Sequence, residues 1–288
     1  MDHRHIYSEL MRRMLAAGGA VLMLSGCGAV AQLAETPQQV VSTASDKMSQ
    51  LHSAKFDVTA TVLEQFPASF TDQLGAAGAS LSNFSIDMSG KGDAKFPDSA
   101  SMSLQVKTGG ISVSTDMVLA GGKIYIKDPA SGSWTQPASA ESFSQFTNQA
   151  DPLSSAAVLK TAQSIKDLGD TTLNGSAVHH YQIVPDKNKL ADQASTQQGK
   201  DLVLSMLQSG SIQLEVWIGK DDHLLHQMKN DTDATIDLGK VMAASGQQLP
   251  PGFPIPAGAT VHTVVHATIS YHDFNAPVTV TVPSVAPS

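Results

Sequence analysis

The residues best equipped for chemistry are ten histidines, one cysteine and many serines and aspartates. His262, His266 and His272 share parity, so on a strand they share a face. At ~3.3 Å rise per residue, His262 and His266 stand ~13 Å apart, too far to grip one zinc ion. Adjacent His179 and His180 point to opposite faces of a strand, as do His223 and His226, three apart. Helical spacing would rescue these pairs, but β-branched neighbours argue for strands, so no metal site is expected. Ser, His and Asp occur throughout without a Gly-x-Ser-x-Gly elbow, and there is no phosphate loop. Asp221-Asp222 suits a hairpin turn better than an acid pair, and Trp217 suits packing. The expectation is a protein with no catalytic residues and no cofactor.

That leaves Cys27, the only cysteine. Arg12 and Arg13 precede an apolar run from Leu15 to Leu24, and Ser25 and Gly26 are small. A basic flank, a short apolar stretch and small residues before a cut site make a secretory signal. The run is about half the ~20 residues needed to span a bilayer. Leu24-Ser25-Gly26-Cys27 resembles a bacterial lipobox, which implies diacylglyceryl attachment to Cys27 and cleavage before it. A single acyl chain binds membranes reversibly and two anchor stably. The expected location is therefore the extracytoplasmic face of the cell membrane, with the N-terminal lipid as anchor.

Taking residues 1–26 as the signal removes Arg4, Arg12, Arg13, Asp2 and Glu9 from the totals. The remaining 15 basic and 24 acidic residues give a net charge of −9. That balance disfavours nucleic acid as a partner. With Cys27 lipidated no disulfide forms, so a core must hold the fold, and the remaining chain is long enough to bury one.

The elements follow from periodicity. Thr36-Pro37 reads as a cap and first turn, with Val40, Val41, Ala44, Met48 and Leu51 at helical spacing. From 54 to 127 the period becomes two, in the sets Phe56 to Val62, Phe84 to Met88, Met102 to Val106, and Ile111 to Leu119. Polar residues alternate with them, as in antiparallel strands solvated on one side. Gly90-Lys91-Gly92-Asp93, Gly109-Gly110 and Gly121-Gly122 read as turns. Residues 139–170 read as helical, with Ile165 and Leu168 on the apolar face. A strand at Ala177–Val184 and a helix over 186–208 follow. Next come a hairpin through Asp221-Asp222, a Pro/Gly-rich surface loop at 244–259, a strand at Val261–Tyr271 and a proline-punctuated tail. With no βαβ alternation, the class is α+β, with helices on one face of an antiparallel sheet.

Several local patterns occur in a fixed order. They are the lipobox, Ile124-Tyr125-Ile126-Lys127 with Trp134, Asp151-Pro152, and Asp167 to Gly175 leading into His179-His180-Tyr181. Leu214 to Ile218 before Asp221-Asp222-His223-Leu224-Leu225, and Phe274 to Pro283, complete the series. Together they resemble the LppX/LprA/LprF/LprG family of actinobacterial envelope lipoproteins, similar in fold to LolA, LolB and the RseB sensor domain. The resemblance covers roughly 36–284 and implies a strongly curved half-barrel sheet with helices on its concave face. It implies an apolar cavity for acyl chains of lipids or glycolipids, and their carriage within the envelope, with a membrane lipid transporter as a further partner. The alternative is a sensor or scaffold lipoprotein of the same fold. Domain bounds are then 1–26 signal, 27–35 tether, 36–284 one lipid-binding domain and 285–288 tail. The alternation nominates Phe84, Met102, Leu104, Val106, Val113, Met117, Leu214 and Val216 as cavity lining, where pliable methionines and small aliphatics suit acyl chains.

Overall fold

In the computed structural model, residues 35–72, 83–136, 152–194, 197–239 and 258–285 are described. All belong to one compact unit, Glu35–Ser288. Its frame is a single antiparallel sheet of eleven strands in the order β6-β5-β4-β3-β2-β1-β11-β10-β9-β8-β7. The strands are β1 Ser53–Gln65, β2 Phe84–Lys95, β3 Ser99–Thr108, β4 Ile111–Ala120, β5 Lys123–Lys127 and β6 Trp134–Thr135, then β7 Ala162–Leu173, β8 Ser176–Pro185, β9 Ser211–Gly219, β10 Leu225–Asp237 and β11 Thr260–His272. Neighbours in the sheet are neighbours in sequence except where β1 meets β11. That junction joins two meanders, and the sheet does not close, since β6 and β7 are its edges.

Helix α1 (Pro37–Met48) begins as its sequence dictates. Thr36 accepts from the Gln39 amide, and the Gln39 side chain accepts the Thr36 amide in return, a reciprocal capping box. Its apolar stripe of Val40, Val41, Ala44 and Met48 is buried. The other helices among the described residues are α2 (Ala68–Thr71), α3 (Pro152–Leu159), α4 (Lys187–Ala191) and α5 (Gln197–Ser209). α1 packs on α3 and against β7, β9 and β10, whereas α5 lies against α4, β9 and β10. Two buried hydroxyls fix α3. Ser45 Oγ donates to the Ala156 carbonyl at 2.8 Å, and Ser155 Oγ bonds Tyr271 Oη at 2.7 Å, tying the helices to β11. None of the helices among the described residues is long and apolar enough to cross a membrane.

Three local expectations are corrected. Gly90-Lys91-Gly92-Asp93 is the middle of β2, not a turn. A Cβ on Gly92 would sit 2.6 Å from Phe56 Cζ and 2.3 Å from the Ser101 carbonyl, so the glycine makes room for a core ring. Ile165 and Leu168 lie on β7, not on a helix that reaches 170. The reason is the turn that follows. Asn174 and Gly175 both have positive φ, 51° and 87°, and this Asn-Gly pair folds β7 back onto β8. The helix expected over 186–208 is two helices, broken after Ala191. Lys187 Nζ bonds the Leu207 carbonyl between them. Gly109-Gly110 and Gly121-Gly122 are turns as expected, all at positive φ. Most of the 244–259 loop lies outside the described residues.

Candidate binding face

Register shows which side chains share a face. Opposed residues run in rows across the sheet, among them Phe56, Gly92, Met102, Met117 and Ile126, then Val58, Gly90, Leu104 and Thr115, then Ala60, Met88, Val106 and Val113. Across β11 these rows continue to Tyr271, Ile269 and Ala267, then through β10 to Val216 and Leu214 on β9. All eight nominated lining residues therefore lie on this inner face, including Phe84, opposite Glu64. The alternation was legible in sequence because side chains on a strand repeat with period two.

Burial divides the face along the strands. Near the β1 N-terminus, Met102, Leu104, Met117, Leu214 and Val216 are all buried in one cluster with Phe56, Tyr181, α1 and α3. These five are packed core. Towards the β1 C-terminus the same face opens. Val62, Ile86, Met88 and Val106 are only half-buried, Val113 is 42% exposed and Ile111, at the hairpin tip, 65%. Phe84, Val106 and Val113 belong to this open end.

A groove of about 750 Å³ does exist, but polar rows line it. Asp57, Lys91, Ser103 and Asp116 form one row, and Thr59, Ser89, Gln105 and Ser114 the next, on the opposite side of the sheet. Asp116 accepts Ser103 Oγ at 2.8 Å and Lys127 Nζ at 3.1 Å. The Ser103 hydroxyl, then Lys127, hold its carboxyl below the usual range. This groove is not the apolar cavity that the resemblance implies.

The histidines are distributed on carboxylates. His266 Nδ1 lies 2.7 Å from Asp231 Oδ1, His262 Nε2 2.8 Å from Asp233 Oδ1, and His272 Nε2 3.2 Å from Asp57 Oδ2. His179 pairs with Asp170, which also holds Lys220, whereas His180 pairs with Glu215 and stacks on Trp217 with ring centres 4.3 Å apart. Trp217 thus packs on the polar face rather than in the core. His223 lies in the turn before β10 with φ 56°, so it is not a strand partner of His226. Among the described residues no three metal-ligating side chains gather. Burial, then the charge of Asp167, push the Tyr181 hydroxyl up to about 12, as expected for a core tyrosine. Cys27 lies outside the described residues.

One feature of the inner face escaped the sequence reading. Glu64 continues the apolar parity of β1 and so faces inwards, opposite Thr263 of β11. Glu64 is half-buried, and burial raises its carboxyl pKa. The unbroken parity from Phe56 to Glu64 was the signal that could have found it.

No family model and no curated protein matches this chain. Among solved structures, it is similar to LprF from Mycobacterium bovis at 15% identity and a TM-score of 0.48, over 86% of this chain and 96% of that one. It is similar to the lipoprotein LppX of Mycobacterium tuberculosis at 14% identity and a TM-score of 0.42, over 85% and 97%. A LolA superfamily protein from Nitrosomonas europaea aligns at 8% identity and a TM-score of 0.26, over 84% and 93%.

Proposed function

We propose that this protein is a non-enzymatic lipid carrier, anchored through Cys27 to the extracytoplasmic face of the cell membrane. It takes acyl chains of a lipid or glycolipid onto the open end of the inner face. The observation that carries this reading is the graded burial of one continuous apolar face, packed at one end and open at Val106, Ile111 and Val113. Acyl chains need only apolar surface and room, which an unfilled sheet face supplies without catalytic groups. The lipobox supplies the compartment, and a diacylglyceryl group on Cys27 supplies stable attachment. A membrane lipid transporter would be the donor or acceptor.

Native mass spectrometry of the purified full chain, with extraction and identification of bound lipid, tests the carrier reading. Co-purifying acyl lipid at near one per chain is expected, and its consistent absence would overturn the reading. Anchoring is tested separately. Cys27→Ala should abolish the lipid-modified N-terminal peptide and leave uncleaved precursor or released protein. A wild-type protein lacking that peptide would refute the anchor.

The packed end favours a second reading. Met102, Leu104 and Met117 fill space that a large cavity would leave empty, as a sensor or scaffold lipoprotein would require. That reading expects a folded, lipid-free protein that still binds a membrane partner.

A further inference from the structure

At the open end of the inner face, two polar side chains meet on otherwise apolar strands. Glu64 and Thr263 are direct partners across β1 and β11, and Thr263 also faces Ala234 of β10. Directly opposed side chains on one face have Cβ atoms ~5 Å apart, within reach of a shared small group. Thr263 is 7% exposed, yet its Oγ1 has no hydrogen-bond partner. Buried hydroxyls are rarely left unpaired, so an orphan here asks for an absent partner. On the β10 side its direct partner is Ala234, and the diagonal Thr232 is already bonded to Asn230 Oδ1 at 3.1 Å. On the inner rows of β1 to β5 and β11, Glu64 is the only charged side chain. Around it lie Phe84, Val62, Ile86 and Val265, so the polar pair sits beside the half-open apolar rows.

We infer that Glu64 and Thr263 form a subsite for the neutral, hydroxyl-bearing head of a single-chain or multi-chain amphiphile whose tail lies along Val62, Ile86, Val106 and Val113. A hydroxyl suits the pair because it donates and accepts at once. It can donate to a Glu64 oxygen and accept from Thr263 Oγ1, satisfying the orphan. A cationic head suits it less. An ammonium only donates, so it would leave the Thr263 hydroxyl proton without an acceptor. This inference rests on the carrier reading and adds the head-group class to it.

The test uses the full chain and measures displacement of the fluorescent hydrocarbon diphenylhexatriene by 1-monooleoylglycerol, 1-octadecene and oleylamine. Monooleoylglycerol should bind about tenfold more tightly than octadecene, the ratio that one well-placed hydrogen-bonded contact gives. Thr263→Val, which is isosteric, and Glu64→Leu should each cut that preference below about threefold. Glu64→Gln, which still accepts from a hydroxyl, should retain it. Absence of any preference in the wild type, or a preference that survives both Thr263→Val and Glu64→Leu, overturns the subsite. A preference for oleylamine that only the Glu64 variants abolish also overturns it, in favour of a cation site. Failure to bind diphenylhexatriene or any of the three competitors refutes the carrier reading instead, and the subsite falls with it.

Discussion

The two ends of the inner face are built from the same kinds of residue and behave differently. At the packed end Met102 opposes Met117, and both are almost fully buried. Two rows away Val106 opposes Val113, half-buried against 42% exposed. Strand alternation is identical at both, so strand pattern does not decide which is core. Helices and neighbouring rows decide it, since α1 and α3 share one cluster with the packed end. Apolar area removed from water stabilises a fold at roughly 25 cal/mol per Å². The open end leaves part of that stabilisation unused, available to a ligand.

Substitutions can break this contrast or sharpen it. The largest effect is expected for Met117→Ala, which leaves a hole at a site 2% exposed and should cost about 2–5 kcal/mol in chemical denaturation. Ile111→Ala, at 65% exposure, should stay within about 0.5 kcal/mol. Equal losses at the two sites would show that the open end is packed after all. Met102→Trp comes next, because overpacking a filled core costs about 1–3 kcal/mol. Val113→Trp should leave the melting temperature nearly unchanged while displacing co-purifying lipid, since the ring takes up space on the open face. A destabilised Val113→Trp with normal lipid content would remove Val113 from the lining.

A smaller loss, about 1 kcal/mol, is expected for Thr36→Ala, which removes the cap that starts α1. If the packed end depends on that helix, native hydrogen exchange of Phe56 and Val216 amides should accelerate. Unchanged exchange would uncouple α1 from the sheet. Acid titration should give the smallest signals, of opposite sign. Asp116 is held below its ordinary value, so its contribution is present above about pH 4 and disappears as pH falls through its folded pKa. Burial raises the Glu64 carboxyl above its ordinary range, so the ligand-free protein gains stability as pH falls through its folded pKa. Glu64→Gln should therefore flatten that part of the curve and slightly stabilise the empty protein at pH 7. An unchanged stability profile in thermal melts from pH 4 to 7 would mean that Glu64 is freely hydrated.

The sequence by itself determined what is local and periodic. Thr36-Pro37 gives the start of α1, the paired glycines give two hairpins, and alternation assigns Phe84, Met102, Leu104, Val106, Val113, Met117, Leu214 and Val216 to one face. These follow from short-range sterics, capping and the two-residue repeat, and they suffice for the α+β class. The tertiary structure decided what depends on distant partners. Gly90 and Gly92 read as a turn because glycines usually mark one, but Phe56 on the neighbouring strand claims the space that a Gly92 Cβ would fill. Ile165 reads as helical until Ile183 of β8 pairs with it, and Leu168 falls at the register shift of the same strand pair. The orphaned hydroxyl of Thr263 is invisible in sequence, since whether a threonine is satisfied depends on what lies opposite, and that residue, Glu64, is 199 positions away in a strand joined to it only by the meeting of two meanders.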